Sequence, residues 1–528
     1  MEENRIPTGD IGEKIQIPVC RKTVSVECNT DYNLADYQMP IKRLLHLTTN
    51  VMPPMQYVSG NSADISGDVE FTALYVGEDN QLYTLSIKDD YTTTVGLDKA
   101  YDLSPDSVVD VYAKFEPASA VSRVISPKKL NIKTVLNGDV QAYGNAMHKE
   151  KIVGDVNSER VERLVVTKRC SEILHGRSET ITVNDKITLD DRKSADDQPI
   201  NIRVIGAYAY SYITDIDASD GVAACRGDLY IKVYTCCDED GNIKVLKNKV
   251  SFTCNVDIEN LSDDFECCAY GKCGAVSVSI SDNDIGVSVP VNVNITAAKN
   301  KSIKAVSDAY STESPCEISY RDYDIVTNVV PFGGNFTLSG SIPLSDLSKG
   351  NVDGITADDK IIDSFVTLSP EEITNDKGKY IINGKSIWIV LFENAEGEYK
   401  ISLLEMPFRY EFEGKNGLPD SSDIAFESIN TRARIEDDRL LLDSEIALSG
   451  TLFMDDKINM LDEMNFSGEY EGDGAGYTVY FPCSTDTLWG IGKKYHKSLT
   501  NIMASNNLLG NVNADDKKSI DGINYLIV

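Results

Sequence analysis

At 528 residues the chain is about twice the ~250 residues at which a single hydrophobic core stops growing, so three or four domains are expected. Its 51 basic against 83 acidic residues leave a net charge of -32, which repels nucleic-acid phosphates and makes nucleic acid an unexpected partner; the acids are scattered through turns, where they aid solubility. The longest purely apolar run, Ile387 to Phe392, falls far short of the ~20 residues of a membrane span, and the opening Met1-Glu2-Glu3-Asn4 has no basic stretch leading into an apolar one, so no export signal and a cytoplasmic location are expected.

Short alternating runs of Val, Ile, Thr and Tyr predict a mainly β chain. One pattern occurs three times: glycine, an alternating strand ending in an aromatic, a turn, and a second strand. The first copy runs through Gly67, Phe71 and Tyr75, turns at Glu78-Asp79-Asn80 and resumes at Leu82, Leu85 and Ile87. The second runs through Gly227, Ile231 and Tyr234, turns at Asp238 to Asn242 and returns through Ile243, Val250, Phe252 and Val256. The third, the most apolar, runs from Gly384 to Phe392, turns at Glu393 to Gly397 and returns through Tyr399, Leu403, Phe408 and Phe412. Asp, Asn and Gly in the turns supply the positive φ that tight hairpins need. Further alternating pairs follow at Leu130 to Val140, Ala275 to Ile295 and Ile429 to Leu452, so tandem antiparallel β-domains are expected over residues 1–150, 151–300 and 301–470. Their seams fall where polar or glycine-rich stretches interrupt the pattern, at Asn145 to Asp155, Lys299 to Ser307 and Gly468 to Gly476, the last containing a flexible linker, 471–476.

From Tyr477 the period changes. A strand, Tyr477 to Phe481, leads into Ser484-Thr485-Asp486-Thr487, which can cap a helix. Leu488, Ile491, Gly492 and Tyr495 then recur at helical spacing, with Lys493, Lys494 and His496 toward water. A second helix from Ser498 or Thr500 buries Leu499, Ile502 and Met503 and stops at Asn506-Asn507, and a strand from Ile523 to Val528 closes the unit, 477–528.

These residues resemble the LysM modules, a strand, two helices and a strand. Tyr477, Val479, Asp486, Thr487, Leu488, Trp489, Ile491, Tyr495, Ile502 and Asn506 match the family pattern, while Thr485 stands for its usual glycine and Gly492 for its usual alanine. The resemblance implies a βααβ fold and a shallow groove for N-acetylglucosamine chains between two loops, here Ser484, Thr485, Asp486 and Thr487 on one side and Asn506, Asn507, Leu508, Leu509 and Gly510 on the other. Thr485 adds a Cβ where backbone meets sugar, which favours a protein in that groove. Leu488 and Trp489 are expected to pack in the module's core.

The preceding repeats resemble the SPOCS-domain proteins of anaerobic spore-formers, of the SipL type, on the strands holding Gly67, Asp68 and Tyr75 or Gly227, Asp228 and Tyr234, and on the domain order. The third copy departs, with Lys385 in place of the acid. This resemblance implies a non-catalytic adaptor on the mother-cell side of the forespore surface. Its implied partner is a protein of the coat basement layer, a SpoIVA-like ATPase contacted through the LysM module, with peptidoglycan as a further partner.

Residues suited to catalysis are sparse. Four histidines, His46, His148, His175 and His496, lie in different segments, which gives a Ser-His-Asp or His-metal site little material. Gly384-Lys385-Ser386 opens a strand, not the helix a phosphate loop needs. The acidic pairs Asp358-Asp359, Glu371-Glu372 and Asp437-Asp438 fit solvated turns better than a glycosidase's two carboxylates. The cysteines are expected to be reduced, and Cys267, Cys268 and Cys273 lack the Cys-x-x-Cys spacing of a metal site; no cofactor or metal is implied. A scaffold for spore-envelope assembly is the first expectation, and a peptidoglycan-binding protein or LysM-targeted wall hydrolase the alternative.

Overall fold

The computed structural model describes residues 13–97, 103, 107–153, 160–189, 202–237, 241–281, 284–347, 354–414, 417–470, 477–508, 520 and 523–528. The chain is mainly β, arranged as several antiparallel sheets with a small helical region at its C-terminal end.

The first strands are β1 (Glu13–Asn33), β2 (Ile41–Val51), β3 (Met55–Ser59), β4 (Ser62–Gly77), β5 (Leu82–Gly96), β6 (Asp110–Ser126) and β7 (Lys129–His148). They make two sheets, one ordered β1-β7-β6 and one in which β4 pairs with β2, β3 and β5. The inner faces meet over Val69, Phe71, Leu130, Ile132 and Leu136, all fully buried. Period-2 alternation puts these side chains on one face and their polar neighbours on the other. After β8 (Lys151–Val153) come β9 (Val161–Thr188), β10 (Ile202–Ser219), β11 (Val222–Cys237), β12 (Ile243–Asp257), β13 (Glu266–Cys273), β14 (Ser277–Ile280) and β15 (Asp284–Ser311). Here β10-β11-β12 form one sheet, and β15 pairs with β9, β13 and β14 in the other. The third set is β16 (Cys316–Pro343), a helical turn α1 (Leu344–Leu347), β17 (Lys360–Asp376), β18 (Lys379–Glu393), β19 (Tyr399–Glu413), β20 (Ser421–Glu436) and β21 (Arg439–Phe466), with sheets β16-β21-β20 and β17-β18-β19. In each set the first strand pairs with the last, and the hairpins expected from the three sequence copies are β4–β5, β11–β12 and β18–β19.

The glycine that opens each hairpin pattern has a local cause. Gly67 lies opposite Tyr91, Gly227 opposite Phe252 and Gly384 opposite Phe408, and the partner's ring lies over the bare Cα, where a Cβ would come within 2.7 Å of the Tyr91 hydroxyl, 2.6 Å of the Phe252 ring and 2.7 Å of the Phe408 ring. An aromatic covering a strand glycine recovers the packing that glycine forfeits. The acidic pair Asp437-Asp438 forms the turn from β20 to β21, both residues at positive φ. Gly384-Lys385-Ser386 lies within β18, where Lys385 pairs with Glu371 and Glu405.

One of the expected strand breaks is absent. Lys299 to Ser307 lies inside β15, paired with β9 apart from a bulge at Ser307. At the first expected seam β7 runs through Asn145 and ends at His148, and β8 starts at Lys151. Ile303 and Ala305 point into a core while Asn300, Ser302 and Lys304 face solvent, so a polar stretch here is the wet face of a ribbon. A division after residue 300 therefore cuts a strand, and β8 pairs in parallel with Glu463–Asn465 of β21 rather than within the second set. Gly468 to Tyr470 holds no strand, and the expected linker 471–476 lies outside the described residues.

The three sets share cores. Ile15, Ile17 and Ala146 meet Cys170, Ile303 and Ala305 together with Tyr323, Ile325 and Ile458. Elsewhere Leu74, Val76 and Leu82 meet Ile205, Tyr234 and Cys236 together with Leu391. Each set thus contributes side chains to both junctions.

Candidate functional site

The C-terminal unit consists of β22 (Val479–Tyr480), α2 (Leu488–Tyr495), α3 (Leu499–Ser505) and β23 (Leu526–Ile527), with β22 and β23 antiparallel. The strands are shorter than the sequence suggests, but reciprocal backbone bonds of 2.9 Å between Thr478 and Val528 extend the pairing. The helices close over Leu488, Ile491, Ile502, Ile520, Leu526 and Val528. Thr487 is the N-cap of α2, its Oγ1 accepting the Gly490 N–H at 2.9 Å.

The expected groove residues divide by what they already bind. Asp486 accepts the Tyr480 hydroxyl at 2.8 Å and the Cys483 N–H at 2.7 Å; these bonds hold its carboxyl below the usual carboxylate range, the Cys483 N–H contributing most. Asn506 donates to the Ile502 and Ile527 carbonyls and accepts the Ile527 N–H, each at 2.7 Å, so its amide bolts α3 to β23. Asp486, Thr487 and Asn506 are therefore frame residues. Leu508 leans on the unit's core, whereas Ser484, Thr485 and Asn507 are exposed, Asn507 at a φ of 53°. Leu509 and Gly510 lie outside the described residues. A second exposed surface lies on β22 and on the residues flanking the two strands: Tyr477 is 78% exposed, Val479 57%, Phe481 69% and Tyr525 55%.

Trp489 differs from the expectation. It is buried, yet it is not among the residues that close the unit's core. Its ring meets Tyr310 of β15 edge-on at 5.0 Å, and its Nε1 donates to Asp308 at 2.8 Å. Lys493, expected in water, reaches the same carboxylate at 2.6 Å and 2.7 Å, and Tyr320 of β16 donates to it at 3.0 Å. Burial pushes the Asp308 carboxyl up, but Lys493 and the Trp489 and Tyr320 donors outweigh that and hold it below its ordinary value. The Tyr310 hydroxyl donates to the Lys497 carbonyl at 2.8 Å, and His496, also expected in water, stacks on Tyr470 at 3.7 Å. Gly492 marks the closest approach, for a Cβ there would collide with the Tyr310 hydroxyl. That glycine, in place of the family's alanine, was the one signal in the sequence of a docked face; nothing in it singles out Asp308 or Tyr310.

Other titratable groups join the sheets. Asp423 of β20 accepts Lys114 at 2.9 Å and the Tyr112 hydroxyl at 2.7 Å, and Tyr112 meets the Tyr270 hydroxyl at 3.1 Å, so all three sets contribute. Burial pushes the Asp423 carboxyl up, but Lys114 foremost, with His175 and Tyr112, holds it below its usual range. Lys232 of β11 pairs with Asp363 of β17 at 2.9 Å, both buried. The four histidines stay apart: His148 meets Tyr323 at 3.2 Å and His175 meets Thr296 at 2.6 Å. Burial raises the Cys267 thiol to about 11 and drives those of Cys268 and Cys273 to about 12, which keeps them protonated near neutral pH. No group of three or more metal-binding side chains occurs among the described residues, and the described cysteines are free thiols. No protein-family model matches the chain, and no curated protein matches it.

Proposed function

We propose that the protein is a non-catalytic scaffold of spore-envelope assembly, in which three related β-domains of the SPOCS type and a C-terminal LysM module bind protein partners, foremost a SpoIVA-like ATPase of the coat basement layer at the forespore surface. The observation that carries this reading is the C-terminal unit. A strand, two helices and a strand stand in the family's order, and Asp486, Thr487 and Asn506, which match its pattern, hold the frame together. The recurrence of one pairing scheme in three successive sheet pairs supports the repeat. Exposed aromatic side chains beside the loops favour a protein partner, since such residues dominate binding hot spots. Contacts through both the β-domains and the module would add by avidity.

The full chain and a deletion of Tyr477 to Val528 are to be compared for capture of the purified coat ATPase and for sedimentation with peptidoglycan. The scaffold reading expects the deletion to lose the ATPase, with little glycan binding by either. Tight peptidoglycan binding that the deletion abolishes, with ATPase capture unchanged, favours instead a wall-binding protein or hydrolase.

A further inference from the structure

We propose that the contact between α2 and the end of β15 is an exchangeable interface: the α2 face takes the acidic and aromatic strand end of a second copy in place of its own, so that chains join by reciprocal exchange of the C-terminal unit. The inference rests on the contact geometry and holds whichever ligand the groove takes.

Asp308 gathers the Trp489 N–H, the Lys493 ammonium and the Tyr320 hydroxyl, and Tyr310 adds one ring contact and one hydrogen bond to a backbone carbonyl. Such a contact is local, one aromatic pair beside a carboxylate and its donors, and more polar than a domain core, as interfaces that open tend to be. Both sides stand without it. The C-terminal unit closes its core over Leu488, Ile491 and Ile502 with no help from Trp489, and beneath Asp308 and Tyr310 the ribbons close over Val306, Ala309, Leu461 and Met464. Separation therefore leaves both cores closed and uncovers the Trp489 and Tyr310 rings and the Asp308 carboxylate, for which another copy carries the same matching surface.

An exchanged contact has the same atoms as the original, so the choice between the two is set by concentration. Six residues, 471–476, separate Tyr470 from Tyr477. A connection that short holds the unit near its own docking site at an effective concentration of roughly millimolar. Exchange then belongs to crowded conditions, such as a layer assembled on a surface. A large net negative charge spread over each copy opposes association in dilute solution, and Lys493 supplies a local positive charge against Asp308.

A charge-exchange experiment separates the two arrangements. Asp308→Lys places two cations together within one chain, and Lys493→Asp places two anions together. Across a mixed pair, Lys493 meets Asp308 and the introduced Asp meets the introduced Lys. Each variant alone should run as a monomer in light scattering, and an equimolar mixture should show a twofold higher mass. A mixture that stays monomeric, while both variants keep the circular dichroism and thermal transition of the wild type, overturns the proposal. Should either variant fail to fold, tagged and untagged wild-type chains incubated together near millimolar concentration decide the matter. Co-elution of the untagged chain supports exchange, and its absence overturns it.

Discussion

Gly67, Gly227 and Gly384 occupy matching hairpin positions, yet a Cβ would meet different obstacles at each. At Gly67 it would meet the Tyr91 ring and its hydroxyl, the far end of a side chain that can tilt. At Gly227 it would meet the Phe252 ring and, at 2.8 Å, the Tyr212 carbonyl oxygen. At Gly384 it would collide with the Ser369 carbonyl oxygen and come within 2.9 Å of the Pro370 Cα, so the backbone itself must move. Alanine should therefore cost least at 67 and most at 384, where about 2 to 3 kcal/mol is expected from the range for overpacked sites. Urea denaturation of the three variants tests the order, and an equal loss at all three would show that the backbone contacts do not govern it. The sequence made these glycines visible as pattern markers, but the aromatic opposite each is 24 or 25 positions away and is fixed only by strand register.

At the scale of elements, the periodicity was legible where it was long. The hairpins β4–β5, β11–β12 and β18–β19 and the helices α2 and α3 lie where alternation or helical spacing put them. Polar stretches misled, because a ribbon with one wet face tolerates Lys, Asn and Ser at every second position, as β15 does between Lys299 and Ser307. In the C-terminal unit the pattern located Asn506 but not its work. Asn506→Ala removes three hydrogen bonds and leaves the Ile527 N–H and carbonyl without that partner, a loss of about 2 to 4 kcal/mol at the usual cost of part-buried bonds. In a unit of this size that should melt the C-terminal part ahead of the sheets. Emission from Trp489, read in a Trp388→Phe background, should shift to the red below the main transition; a single unshifted transition would count against this role.

For the whole molecule, the junctions between the sheet pairs combine apolar cores with buried charge. Lys114→Met leaves Asp423 buried with only neutral partners and His175 nearby, and a loss of about 3 to 5 kcal/mol is expected, whereas adding Asp423→Leu should recover much of it, because the desolvation of both charges then disappears. Thermal melts of the single and double variants measure this, and a double variant no better than the single would locate the cost in packing. His175 adds a pH dependence. Fully buried against Tyr112, it is held neutral by desolvation, its pKa lowered to about 4. A depressed folded-state value means stability present above the unfolded value of ~6.5 and lost as pH falls toward 4, about 2 to 3 kcal/mol by pH 4.5. Asp423, also held low, adds to the loss in the same direction at still lower pH. His175→Phe should therefore flatten the fall in melting temperature between pH 7 and 4.5, and a variant as acid-sensitive as wild type would rule His175 out as its source.

What the sequence determined by itself is local: strand alternation, turn residues, two short helices and their cap, each fixed by side chains within a few positions of one another. What the tertiary structure decided is which surfaces meet. Asp308 and Trp489 are 181 positions apart, and Lys114 and Asp423 are 309 apart; no period links them, because their pairing follows from how the sheet pairs pack. Only that packing turned Trp489, expected in the module's core, into the docking residue of the C-terminal unit.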